Sequence, residues 1–130
     1  MAKKTYQIEN LFQALADRTR LRLINLIGES EVCVCFLTEI LKTSQPKISR
    51  HLAYLRRAQI VAARREGKWM HYRLTEPPDE HAAHVLREVR ASLNEHPEFR
   101  RDREKLEGVC CAIQLPVSLR HAPKPAAAAS

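Results

Sequence analysis

The chain has 130 residues, 45% hydrophobic and 28% charged, with four cysteines and a net charge of +7. That length suits one domain and excludes a large two-lobed enzyme. No apolar run approaches the roughly 18–20 residues that cross a bilayer, and the opening Met-Ala-Lys-Lys-Thr-Tyr has no secretory stretch. These features predict a cytoplasmic protein with no membrane partner. In that reducing setting, cysteines serve as ligands or reactive thiols rather than as disulfides. Aromatics make up only 5%, so the core is expected to be Leu, Ile, Val and Ala.

Helical periodicity dominates the first half. Ile8, Leu11, Phe12 and Leu15 share one face of a helix over 7–16. Asp17 is a good N-cap for a second helix carrying Leu21, Leu23, Ile24, Leu26 and Ile27, which Gly28 stops. Residues 29–36 read as a short connector, and Leu37, Ile40 and Leu41 as a short third helix. Lys42-Thr43-Ser44 is a tight turn, with Ser44 expected to cap a fourth helix and Pro46 harmless in its first turn. In that helix Ile48, Leu52 and Leu55 face the core. After Gln59 the period becomes two, with runs at 60–65 and 69–74 joined by Glu66-Gly67-Lys68, a hairpin signal. Thr75-Glu76-Pro77-Pro78 breaks the chain before a further helix striped by Val85, Leu86, Val89 and Leu93, which ends by Pro97.

Charge is unevenly placed. Between Lys42 and Arg73 there are nine basic residues and one acid, Glu66, giving +8; the other 98 residues therefore sum to −1. A basic block in an otherwise balanced chain is the footprint of a nucleic-acid surface. Short helix, tight turn, helix with a basic polar face, then hairpin specifies a winged helix-turn-helix, mainly α with a β-hairpin wing. Residues 45–57 would enter the major groove. Gln45, Ser49 and Arg50 are the expected readers of base edges, and Lys47, Arg56 and Arg57 the phosphate contacts. Arg65 and Lys68 at the hairpin tip reach phosphate or the adjacent minor groove, and Ser44 and His51 complete the DNA-facing set. The expected partner is double-stranded DNA.

Two motifs carry a family resemblance. Residues 44–52 (Ser-Gln-Pro-Lys-Ile-Ser-Arg-His-Leu) and 67–74 (Gly-Lys-Trp-Met-His-Tyr-Arg-Leu) resemble the recognition helix and wing of the ArsR/SmtB repressors. Residues 31–37 (Glu-Val-Cys-Val-Cys-Phe-Leu) are similar to that family's arsenic-binding box. The likeness spans about residues 8–95. It implies a homodimeric repressor that binds an operator and lets go on binding a metal or metalloid. It also implies dimer contacts through the first helix and the helix after the wing, about 8–16 and 79–95.

The cysteines fit that reading with one departure. Cys33 and Cys35 are two apart, a spacing that neither strand nor helix turns toward one ion. The bend where the connector becomes the third helix does so, and a helix N-terminus favours thiolate. Soft thiolates select thiophilic ions, here trivalent arsenic or antimony as inducer. The familiar box, Cys-Val-Cys-Asp-Leu-Cys, has its third cysteine where this chain has Thr38, and Phe36 replaces Asp. Either an exchangeable oxygen completes the site or a third thiolate comes from Cys110 or Cys111. Asp79 and His81 resemble half of a zinc site of relatives, so zinc or cadmium sensing stands as an alternative, as does thiol oxidation. No nucleophile sits beside a base and no phosphate loop is present, so no enzyme activity is expected; a thiol-dependent reductase is a remote alternative. By domain, residues 1–97 are expected to bind DNA and dimerise. Residues 98–108 form a charged helical extension, and 109–130 a flexible tail.

Overall fold

The computed structural model describes residues 5–110, 119 and 121–127. Among these described residues six α-helices run in chain order: α1 Ile8–Leu15, α2 Arg18–Ile27, α3 Val34–Leu41, α4 Gln45–Arg57, α5 Glu80–Leu93 and α6 Pro97–Cys110. Strand β1 is Ser30–Cys33, β2 Val61–Glu66, β3 Trp69–Leu74 and β4 Ala126–Ala127. The strands form one antiparallel sheet in the order β2-β3-β1-β4.

The core lies between the helices and one face of the sheet. Leu23, Ile24, Leu26 and Ile27 of α2 are fully or almost fully buried with Leu37 of α3 and Ile48, Leu52 and Leu55 of α4. At about 1.5–3 kcal/mol per buried aliphatic side chain, this cluster is the main stabilising element. Asp17 caps α2 by accepting from the Arg20 amide at 3.0 Å. Gly28 ends the helix at φ +51°, a conformation that glycine adopts without a Cβ penalty. In the hairpin Gly67, at φ +59°, opens the two-residue turn from β2 to β3, the place a type II′ turn reserves for glycine.

Three local expectations need correction. Residues 30–33 are not merely a connector: they pair with β3, Val32 opposite Tyr72 and Cys33 opposite His71. The run looked irregular because it is short and its two neighbours lie far away in the chain. Ser44 occupies the N-cap position of α4, but its side chain makes no capping hydrogen bond. The reason lies two residues on, where Pro46 removes one of the amides that an N-cap oxygen would accept from. The described C-terminal residues also depart from the expected boundaries. Helix α6 continues through Gly108 to Cys110 and buries Phe99, Asp102 and Leu106. Leu119 is fully buried, and Ala126 and Ala127 pair with Glu31 and Ser30 of β1. Apolar contacts and an open sheet edge hold these residues where local sequence would not.

Candidate functional site

Two features stand out: the outer face of α4 with the hairpin, and the thiol pair at the start of α3. The α4 face follows from its period. With Ile48, Leu52 and Leu55 turned inward, Gln45, Lys47, Ser49, Arg50, Arg56 and Arg57 are left exposed, with Ser44 just before them. The hairpin tip is equally open, with Arg65 and Lys68 exposed and the Lys68 ammonium 4.9 Å from the Trp69 ring centroid. A helix that leaves a polar face free beside a basic two-stranded ribbon has the dimensions of a major-groove reader with a flanking phosphate contact.

Not every basic side chain there is available. His51 is half-buried and turned toward α2: its Nδ1 lies 3.3 Å from the Arg20 guanidinium and 3.7 Å from Asp17. Arg20 and Arg57 both lie over Tyr54, at 4.4 and 5.3 Å from its centroid. Arg64, which the sequence reading leaves out, is committed elsewhere. It donates to Glu31 of β1 through Nε and Nη2 and to Glu66 through Nη1, tying the wing to β1. That pairing holds the Glu31 carboxyl below the usual range, with burial opposing it. Local sequence could not separate Arg64 from Arg65; strand alternation, together with a carboxylate on the neighbouring strand, does so.

The thiol pair is built at a junction. Cys33 ends β1 in extended backbone (φ −68°, ψ 141°) and stands at the N-cap of α3, while Cys35 lies in the helix's first turn. That change of backbone brings Sγ to Sγ within 2.7 Å, which a continuous strand or helix of the same spacing would not do. Cys33 is fully buried and Cys35 half-buried. The hydrogen bond between them decides which ionises first. The Cys33 thiol is lowered to about 7 because Cys35 hydrogen-bonds to it, while that same bond and burial push the Cys35 thiol up. The pair is therefore a thiol beside a readily formed thiolate, open to solvent on the Cys35 side, and suits a soft, thiophilic ion.

Among the described residues no further member of the expected ligand set joins that pair. Among the described residues, no three His, Cys, Asp or Glu side chains sit close enough together to hold a metal ion. Thr38, at the place of the missing third cysteine, donates its hydroxyl to the Cys35 carbonyl at 2.9 Å. Cys110, at the end of α6, is half-buried against the same core as Cys35, and α6 packs on α3. Cys111 lies outside the described residues. The Asp79 carboxylate accepts from the Ala82 amide at 2.9 Å as the cap of α5, with His81 exposed beside it.

Sequence and structural relatives agree with this geometry. Residues 17–63 match the bacterial regulatory protein arsR family. The arsenical resistance operon repressor of Escherichia coli strain K12 is 49% identical over 80 residues, which are 61% of this chain and 68% of that protein. The chain belongs to the arsR family of bacterial regulatory proteins. Two solved structures share the fold of this arsR-family chain. The AntR antimony-specific transcriptional repressor superposes with a TM-score of 0.55 at 27% identity, covering 78% of this chain and 92% of that one. The homodimeric winged helix-turn-helix DNA-binding domain of Mb0332 from Mycobacterium bovis gives 0.55 at 25% identity, covering 75% and 94%. The winged helix-turn-helix is thus the fold of this arsR-family regulator. Among its described residues no helix is long and apolar enough to cross a membrane.

Proposed function

We propose that this protein is a homodimeric repressor that binds operator DNA and releases it when trivalent arsenic or antimony binds Cys33 and Cys35. The observation that carries the reading is the contact of the two sulfurs, 2.7 Å apart, at the start of the helix that precedes the reading helix. The names of the E. coli and AntR relatives support the inducer class. Exposed apolar side chains on α1, Ile8 and Phe12, support dimerisation through that helix together with the half-buried Val85 and Val89 of α5. Two such protomers present two α4 helices to half-sites about one helical turn, or a multiple, apart.

The residues that couple the two events are in contact. Leu37, Ile40 and Leu41 of α3 are buried in one cluster with Ile48, Leu52 and Leu55 of α4. Drawing both sulfurs onto one ion reshapes the first turn of α3, and that packing passes the shift to residues 45–57. The sheet supplies a second path, because Cys33 is paired directly with His71 of the wing strand β3. A coupling of about 1–3 kcal/mol is typical, and operator DNA must weaken inducer binding by the same factor. A third donor is drawn from Cys110 or Cys111, or is an exchangeable oxygen.

Anisotropy of operator-bound protein, titrated with arsenite, antimonite, zinc and cadmium, tests the reading. Cys33→Ser and Cys35→Ser should bind the operator like the parent but resist release by the two metalloids, because soft ligands are lost and the basic face is untouched. Thr38→Cys should tighten metalloid binding and make Cys110 and Cys111 dispensable. Release of both serine variants at parental concentrations would place the sensor elsewhere.

A further inference from the structure

A cavity of about 410 Å³ lies away from both features, between α2, α5 and α6. Three arginines, Arg87, Arg90 and Arg103, are among its lining residues, against a single acid of the wall, Glu29. Two of the arginines are anchored to backbone carbonyls. Arg103 donates from Nη1 to the Asn25 carbonyl at 2.7 Å, and Arg87 donates from Nε to the Ala83 carbonyl at 3.3 Å. Gly28 makes room for this: a Cβ there would sit 2.7 Å from Arg103 Nη1. The acids that face these cations are weakly placed. Glu29 is 3.8 Å from Arg90 with its side chain 94% exposed, and Glu76 is 3.3 Å from Arg87 with its side chain 65% exposed. Each guanidinium has five N–H donors, so most remain for a ligand.

The geometry points to a binding site for a small phosphate-class dianion, inorganic phosphate or a phosphate monoester. Three cationic residues around one cavity with a single acid in its wall leave an excess of positive charge that a bound anion would balance. The planar forks of arginine match phosphate oxygens in pairs. The volume lies in the range of small-molecule sites and leaves space for an organic group beyond the phosphate. Arg87, Arg90 and Asn94 recur at i, i+3 and i+7 as one stripe of α5. Val85 and Val89, assigned above to the dimer contact, fall on a different stripe of the helix. A bound anion would bridge α5 to α6 and α2, pinning the C-terminal helix to the DNA-binding body. This inference does not depend on the metalloid reading.

The full-length protein, titrated with inorganic phosphate and separately with glycerol phosphate at constant ionic strength held with chloride, tests it by amide NMR. Saturable shifts are expected at the Gly28 amide and the side-chain amides of Asn25 and Asn94. A larger affinity for glycerol phosphate would identify an ester as the ligand, and equal affinity would identify the free anion; either supports the site. Arg90→Gln should weaken binding by about tenfold, the value of a lost charge-assisted hydrogen bond. Arg90→Lys, which keeps the charge and loses the fork, should fall between parent and Arg90→Gln and guards against misfolding of the latter. Arg50→Ala, on the α4 face, should leave these shifts unchanged. Shifts that rise linearly with concentration, or persist undiminished in Arg90→Gln, would overturn the assignment.

Discussion

Residues 42–73 and residues 98–107 are both rich in charge, yet they use it in opposite ways. The first carries nine cations and one anion, and most of its cationic groups on α4 and the hairpin tip stay exposed. The second carries four cations (Arg100, Arg101, Arg103, Lys105) and four anions (Glu98, Asp102, Glu104, Glu107), so its net charge is zero. Two of its acids, Asp102 and Glu98, are matched by cations of α2. Asp102, 1% exposed, accepts from Arg22 Nε and Nη2 at 2.7 and 2.9 Å, and Glu98 pairs with Arg18. Beside them the Asn25 side chain donates to the Phe99 carbonyl at 2.8 Å. An unbalanced charge run cannot satisfy itself and is left for a polyanion. A balanced one can be matched within the fold, provided an apolar stripe such as Phe99 and Leu106 brings it against its partners.

That contrast is sharpest at Arg50. Arg50→Ala should abolish specific operator binding, since a base contact worth about 1–3 kcal/mol is lost in each of two half-sites. It should leave the thermal midpoint unchanged. Titration of operator and scrambled duplex at one salt concentration measures this, and parental operator affinity would remove 45–57 as the reader.

On the other side of the comparison, Asp102→Ala should cost on the order of 2–4 kcal/mol in urea unfolding, because the Arg22 guanidinium is left partly buried without its acceptor. Folded protein should keep its operator affinity. A loss within experimental scatter would mean that α6 is a dispensable extension rather than part of the body.

The smallest effect belongs to the hairpin tip. Lys68→Ala should weaken all DNA sequences alike, by several-fold, and reduce the slope of log affinity against log salt by about one per protomer. A change confined to the operator sequence would instead make Lys68 a base reader.

The thiol pair adds a pH signature of its own. Thiolate absorbance should rise through about pH 7 in the parent, below the ordinary cysteine range near 8.5. In Cys35→Ser that rise should move upward, because the hydroxyl is a different donor and the thiol that favours the Cys33 thiolate is gone.

What could be read along the chain was whatever depends on near neighbours. The inward faces of α2 and α4 follow from helical spacing, the cap at Asp17 from its side-chain chemistry, and the wing from alternation broken at Gly67. The exposed basic face is the complement of Ile48, Leu52 and Leu55, so it was legible once those were assigned to the core. The junction that closes Cys33 on Cys35 was legible as a bend, because no regular element fits that spacing. Only the tertiary structure decided which polar groups find distant partners. His51 is drawn to Arg20, Arg64 to Glu31, and Asp102 to Arg22, across 31, 33 and 80 positions respectively. Burial of Asp102, pairing of Val32 and Cys33 with the wing, and the gathering of Arg87, Arg90 and Arg103 around one cavity all depend on how helices and strands dock. Docking energy is summed over many weak apolar contacts between distant segments, and no local pattern of residue types carries that sum.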